Sequence, residues 1–433
     1  MNADLWASQE AHLLVESQNP GGLIRLGRRG RGWRLEDLGH RIGCSAATVS
    51  RLERRGHHAD LDLVKQAAEH VGVPTHVLAA SLGLTRVTPT RVLPDGPRCA
   101  EEDDMRRRTL LAAAGLAAAG LAVPASLLAS ATDALASMPA PTRSPIPLDA
   151  RLVTARALFD AGQNARLLEA LPGLLADAHH AARGRQDLAL ARLSATYSLW
   201  SQVLVKVGGY DASRLAADRA MVYAEWSGSP LVAAAAAREL SIVLRHQNQP
   251  AAAQRHILDA VSKVEATGLK SDAQAAAYAQ MLATTSYTAA RAGDRDQALT
   301  MIREARRAAR DLPAQAPEGR LFPITPAAVD LYAVGVHWAL GDAGAALEAG
   351  RGLRAGQFAT PERKGRMHTD LGRAWWQWGK PEQAAAQLLS ATRVSPSEVR
   401  DRPAIRKIVT ELRSKHPRVN GVRELVAAVS TGA

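Results

Sequence analysis

At 433 residues the chain has room for two or three domains, and its 47% apolar and 22% charged content excludes a disordered or fibrous polypeptide. Aromatics at 4%, with long alanine runs, favour close-packed helices with small interface residues, while a net charge of +12 spread along the chain suits an anionic partner without specifying a fold. The two cysteines, Cys44 and Cys99, lie far apart without metal-ligand company, which suggests neither a disulfide framework nor a zinc site and fits a reducing compartment.

Residues 1–20 read as a polar, weakly amphipathic lead-in. Residues 21–82 then read as five short helices. In the second, Leu35, Leu38 and Ile42 form one apolar stripe. A break at Gly43-Cys44 follows, and Ser45 is placed to cap the third helix through its hydroxyl. Within that helix Val49 and Leu52 are expected to point inward, and Ala46, Ala47, Ser50, Arg51 and Arg54 outward. Two short helices joined by a tight turn present the second to the major groove of DNA. Small leading residues allow close approach, Ser50 can bond a base edge or a phosphate, and Arg51 can reach a guanine edge or a phosphate. Residues 21–58 carry nine arginines against Glu36, Asp37 and Glu53, a local charge of +6, with His40, His57 and His58 as further donors. Such density on a short segment points to phosphate contact.

The string "LEDLGHRIGCSAATVSRLERR", followed by "LDLVKQAAEHVGVP", resembles the Cro/repressor-type (xenobiotic-response-element-like) helix-turn-helix over about 60 residues. The resemblance implies a five-helix DNA-binding domain with contacts from Ser45, Ala46, Ala47, Ser50 and Arg51, and Thr48, Arg54, Arg55 and Arg34 join them as candidate DNA-binding residues. Two positions depart from the family's pattern. Leu35 stands where a phosphate-binding Gln is common. Arg55 and Ala59 replace the usual Gly and Pro, with Gly56 one place late.

Residues 83–147 read as a linker, rich in Pro, Gly and Thr at first and acidic at 101–104, carrying an Ala/Leu-rich apolar helix at 105–137. No charge interrupts Thr109 to Thr132, and three arginines precede the run. It is long enough to span a bilayer, with the arginines on the cytoplasmic side. It also resembles a twin-arginine export signal, which initiation at Met105 would place at an N-terminus. The abundance of Ala and Gly and the DNA-binding segment ahead of it favour a helix packed on the next domain in a cytoplasmic protein, with membrane association through 109–130 as the alternative.

From 148 to 433 helix follows helix, with turns at Gly208-Gly209, Asn248-Gln249-Pro250, Gly293-Asp294, Gly341-Asp342 and Gly379-Lys380-Pro381. Three turns share a finer pattern, "GDRDQAL", "GDAGAAL" and "GKPEQAA", with Ala five residues after Gly. A glycine ending one helix and an alanine inside the next let antiparallel partners pack closely. About six pairs are expected, an α-solenoid that resembles tetratricopeptide repeats with lengthened helices. The whole fold is therefore expected to be all-α. Tyr197, Trp200, Tyr223, Trp226, Tyr278, Tyr287, Tyr332 and Trp338 could line a concave face, and Trp375, Trp376 and Trp378 cluster near the last turns, although core packing is the commoner fate of such residues.

The combination of parts resembles large actinobacterial regulators of this architecture and, more distantly, peptide-responsive Gram-positive regulators. It implies a homodimer that binds operator DNA and takes a signalling peptide, small molecule or protein at its repeats. No phosphate-binding loop, dinucleotide fingerprint, HExxH helix or nucleophile elbow occurs, so neither a catalytic residue nor a cofactor or metal is implied.

Overall fold

The computed structural model describes residues 5–55, 61–82 and 123–430, and the chain divides into two compact units, one within 1–121 and the other within 122–433. All regular structure among the described residues is helical.

The first unit contains α1 (Gln9–Glu16), α2 (Pro20–Gly30), α3 (Leu35–Arg41), α4 (Ala46–Arg55), α5 (Leu61–Val71) and α6 (Thr75–Ser81). The five helices expected after residue 20 are present. α1, capped by Ser8, precedes them and packs on α2 and α6. Pattern did not reveal α1 because its seat is made of glycines: Leu14, Trp6 and Leu5 lie where side chains on Gly22, Gly27 and Gly30 would project. Glycine inside a helix costs about 1 kcal/mol relative to Ala, and in α2 that cost is exchanged for close packing. The core comprises Leu23 and Ile24 of α2, Leu35 and Leu38 of α3, Val49 and Leu52 of α4, and Val64 and Ala67 of α5. Each large aliphatic side chain buried there contributes roughly 1.5–3 kcal/mol.

Two glycines set how deeply α4 is embedded. A Cβ on Gly21 would stand 2.8 Å from the Glu53 carbonyl, and one on Gly39 would stand 2.6 Å from the Cys44 carbonyl oxygen. Both obstacles are backbone and do not yield readily. Gly21→Ala is therefore expected to lower the stability of the first unit by roughly 1–3 kcal/mol, measured by calorimetry on the full chain.

The second unit begins with α7 (Ala125–Ala136), which packs on α9 (Asn164–Ala181) and α11 (Tyr210–Trp226). Ala131 and Leu135 are buried in that contact, and Arg219 of α11 donates to the Leu135 carbonyl at 2.6 Å. The end of the apolar run is thus a helix of 12 residues, well short of the ~20 needed to span a bilayer. Residues 105–122 of the run lie outside the described residues, among which no helix is long and apolar enough to cross a membrane.

Six hairpins follow. α8 (Leu148–Asp160) pairs with α9, and α10 (Asp187–Val207) with α11. α12 (Pro230–His246) pairs with α13 (Pro250–Glu265), and α14 (Asp272–Arg291) with α15 (Arg295–Ala309). α16 (Pro326–Ala339) pairs with α17 (Ala343–Gly350), and α18 (Pro361–Gln377) with α19 (Pro381–Val394). The short α20 (Pro396–Arg400), α21 (Pro403–Lys415) and α22 (Val422–Ser430) finish the array over their own core of Val399, Ile405, Val409, Leu412 and Leu425.

The shared turn pattern has the expected geometry. Gly293, Gly341 and Gly379 take φ of +76°, +81° and +71°, a conformation open to glycine without strain. The aspartates that follow two of them, Asp294 and Asp342, cap the next helix by accepting from Gln297 N and Ala345 N. Ala298, Ala346 and Ala384 are all fully buried.

The array closes on itself. α8 packs against α18, and Asn164 at the start of α9 donates to Asp401 at 2.7 Å. Lys206 near the end of α10 donates to both Glu362 of α18 and Glu398 of α20. The first helices of successive hairpins, α10 through α18, contact one another in order and face inward.

Candidate nucleic-acid interface and the inner face of the helical array

Helix α3 ends at Arg41 with Ile42 as its C-cap, and Gly43 reverses the chain with φ +67°. The turn is tied by Cys44 N donating to the Gly39 carbonyl at 2.9 Å. Ser45 is the cap expected of it, accepting from Thr48 N at 3.1 Å. The Ser45 and Thr48 hydroxyls lie 3.0 Å apart, and Arg51 Nη2 donates to Thr48 Oγ1 at 2.7 Å. Three half-buried side chains spaced by three residues are thus linked along one edge of α4. Free backbone N–H groups at this helix start favour an anion such as a phosphate.

The outward set expected on α4 is smaller than its pattern suggested. Ala46, Ala47 and Ser50 are only 3%, 0% and 1% exposed. The close approaches at Gly21 and Gly39 embed α4 between α2 and α3, so the buried arc extends beyond Val49 and Leu52. Arg54 is half-buried, and the Arg55 side chain falls outside the described residues. Arg34 is exposed at the start of α3, where its backbone N–H donates to Asp37 at 2.7 Å. Leu35 is core, so the position usual for a phosphate-binding Gln is apolar and covered.

Charge counting alone did not reveal two features. Arg28, counted among the nine arginines, is 2% exposed and forms a two-pronged ion pair with Glu53, itself 6% exposed, at 2.6 and 3.0 Å. Arg28 also donates to the Trp33 carbonyl at 2.7 Å. The motif glutamate therefore ties α4 to α2. The second feature is Trp33, whose ring lies 4.1 Å from the Arg41 guanidinium and 5.0 Å from that of Arg31. These contacts hold two cations against one aromatic plane.

In the second unit most of the expected aromatics pack. Trp200 and Tyr197 are core, and Tyr197, Tyr223, Trp226 and His179 form a chain of ring contacts. Tyr287, Tyr332 and Trp338 instead meet arginines. Arg373 lies 3.4 Å over the Trp338 ring and donates to the Tyr287 hydroxyl, and Arg238 donates to the Tyr332 hydroxyl at 2.9 Å. The Arg238–Tyr332 bond joins α12 to α16 across α14, which places it on the inner side of the ring.

Burial would raise the Tyr287 phenol, but Arg373 and Arg245 outweigh it and bring it down to about 7. Tyr332 comes down to about 8, with Arg238 and Arg363 overcoming burial. Spectrophotometric titration is expected to show two phenols ionising well below the usual tyrosine range, with the lower step missing in Tyr287→Phe. A depressed acid of this kind adds stability that is full above the ordinary tyrosine value and lost as pH falls through about 7.

Residues 21–82 match the family described as "Helix-turn-helix domain". No curated protein matches the chain. Among solved structures the chain is similar to that titled "Crystal structure of BtubC (BKLC) from P. vanneervenii", with 16% identity over 57% of this chain and 91% of that chain and a TM-score of 0.33. The chain thus carries an N-terminal helix-turn-helix domain, followed by an all-helical, repeat-like region.

Proposed function

We propose that this protein is a non-enzymatic, sequence-specific transcription regulator of the Cro/repressor type, acting as a cytoplasmic homodimer on operator DNA. The observation that carries the reading is the Ser45-capped α4, with its Ser45–Thr48–Arg51 edge, in a segment of charge +6 that matches a helix-turn-helix family. In this reading Arg51 reads a base edge, Ser45 and Thr48 hold phosphate, and Arg34, Arg54 and Arg55 add backbone contacts. Ala46, Ala47 and Ser50 act from beneath, setting how α4 is seated. The domains are residues 21–82 for DNA and 148–433 for a tetratricopeptide-like sensor that also dimerises, with 83–147 between them. A peptide, small molecule or protein held by the sensor changes operator affinity only if it binds the two arrangements of the dimer unequally.

Gel shift and footprinting on the DNA upstream of the gene test this directly. A dimer predicts two half-sites about 34–36 Å apart, one helical turn. Arg51→Ala is expected to lose ~1–3 kcal/mol of discrimination, and Ser50→Ala to leave the specific shift in place. A specific shift that survives Arg51→Ala with unchanged sequence preference would contradict the assignment of α4 as the reading helix.

A further inference from the structure

The inner face of the array gathers more cations than carboxylates. Lys206 is matched by Glu362 and Glu398, and Arg402 by Glu398 at 2.9 Å. Arg366 and Arg373 share Asp370 at 2.8 and 3.1 Å, and Arg238 holds Glu239. Arg245 and Arg291 have no carboxylate within ion-pair distance among the described residues. Arg245 Nη1 donates to Thr288 at 3.2 Å and its guanidinium lies 4.8 Å from the Tyr287 ring, so its partners are neutral groups.

The Arg245–Thr288 bond brings these two cations toward one site, because Arg291 lies one turn after Thr288 on α14. His246 stacks on Tyr210 with ring centroids 4.8 Å apart. Desolvation against the neighbouring helices, followed by the fields of Arg245, Arg291, Arg366 and Arg402, lowers that histidine, so it adds little positive charge. Arg245 is itself lowered to about 10, first by burial and then by Arg366 and Arg291 against the opposing pull of Tyr287 and Tyr332. The site remains open to solvent: His246 and Arg291 are exposed, and Arg245, Arg366 and Tyr210 are half-buried.

A partly solvent-open cluster of like charges without matching counter-charge repels itself in the folded chain alone. An anion entering from solvent removes the imbalance. We propose that the inner face of the array binds the phosphate or carboxylate group of a small anionic ligand, seated between Arg245 and Arg291 beside the Tyr210–His246 stack. The planar guanidinium of Arg245 suits two-pronged recognition of such a group, and the Tyr210–His246 rings offer a flat surface to the remainder of the ligand. This assignment deepens the sensor reading and rests on it for its regulatory meaning, not for the binding itself.

The test uses the full chain at constant ionic strength, with inorganic pyrophosphate and citrate as separate probes and chloride as reference. Calorimetric titration is expected to show saturable binding of at least one probe, and the preferred probe separates phosphate from carboxylate recognition. Binding should also lower tyrosinate absorbance at pH 8, because the new negative charge opposes ionisation of Tyr287. Arg245→Gln and Arg291→Gln are each expected to weaken binding tenfold or more, and Arg351→Gln, with a side chain 80% exposed elsewhere on the array, to leave it unchanged. Arg291, at the solvent-exposed end of α14, provides a variant that folds if Arg245→Gln does not.

No binding of either probe, or equal binding by both inner-face variants, would overturn the proposal. Gel shifts run with and without the probe separate the two readings. Probe binding that depends on Arg245 but leaves DNA affinity unchanged supports this site and overturns the sensing role. Intact DNA binding without probe binding does the reverse, keeping the regulator and rejecting the site.

Discussion

Replacing Glu53 with Ala is expected to remove a large share of the stability of the DNA-binding unit, about 3–5 kcal/mol, and to weaken operator binding strongly, although Glu53 is buried beneath the proposed interface. Arg28 would remain 2% exposed without its carboxylate. Breaking a buried pair by removing one member leaves a buried charge without its counter-charge, for which the Trp33 carbonyl is no substitute. A small unit has a total stability of only about 5–15 kcal/mol, so the loss is a large share of the whole. The double variant Arg28→Met/Glu53→Leu removes both charges with similar side-chain volume and is expected to recover most of the stability and of the gel shift. Thermal melting and gel shift on wild type, single and double variants check this. If Glu53→Ala melts with wild type, the pair does not hold α4 to α2.

The second large effect concerns closure of the array. Lys206→Met leaves Glu362 and Glu398, whose side chains are 7% and 2% exposed, adjacent without the cation that both accept from. Arg363 and Arg402 still touch one carboxylate each, so the cost is set at the lower end, about 3 kcal/mol. Because the broken contacts join α10 to α18 and α20, the loss should appear as opening of the ring. Hydrogen exchange at α20 and α21 is expected to quicken more than exchange within the hairpin of α12 and α13.

The pH dependence gives a sign to test. Burial raises Glu362, but Lys206, Arg363 and Arg366 outweigh it and hold the carboxyl well below the usual range. A depressed carboxyl contributes stability that is full above its unfolded value and lost as pH falls through its folded value. Without Lys206, burial has less opposition and the carboxylates accept protons sooner. The deficit of Lys206→Met should therefore be greatest at neutral pH and shrink on acidification toward pH ~4, near the ordinary glutamate value. A deficit independent of pH would mean that the lysine acts by packing and not by charge.

Much of the local design was legible beforehand because it depends on neighbours in sequence. The stripe of Leu35, Leu38 and Ile42, the turn at Gly43 and the Ser45 cap are properties of a few consecutive residues, and all three have the expected geometry. The Gly-to-Ala spacing of the repeated turns is equally local. The exposure of Ala46, Ala47 and Ser50 differs from the pattern because it depends on how closely α2 and α3 approach, which Gly21 and Gly39 control from 25 and 7 residues before Ala46. α1 went unseen for the same reason, its partners being glycines with no pattern of their own. The aromatics were a poor guide to the inner face, since Trp200 and Tyr197 carry the same signal as Tyr287 and Tyr332 but pack in the core.

By itself the sequence determined an all-helical chain with a charged helix-turn-helix ahead of repeated hairpins, because helix periodicity, caps and glycine stops are encoded within a turn or two of the residues that use them. Only the tertiary structure decided which arginines are structural and which are available. Arg28 is spent on Glu53, and Lys206 on closing the ring, whereas Arg245 and Arg291 are brought together from separate helices without carboxylate partners among the described residues. The physical reason is that a cation's role depends on the charge and water around it, and in a folded array those neighbours come from segments distant along the chain.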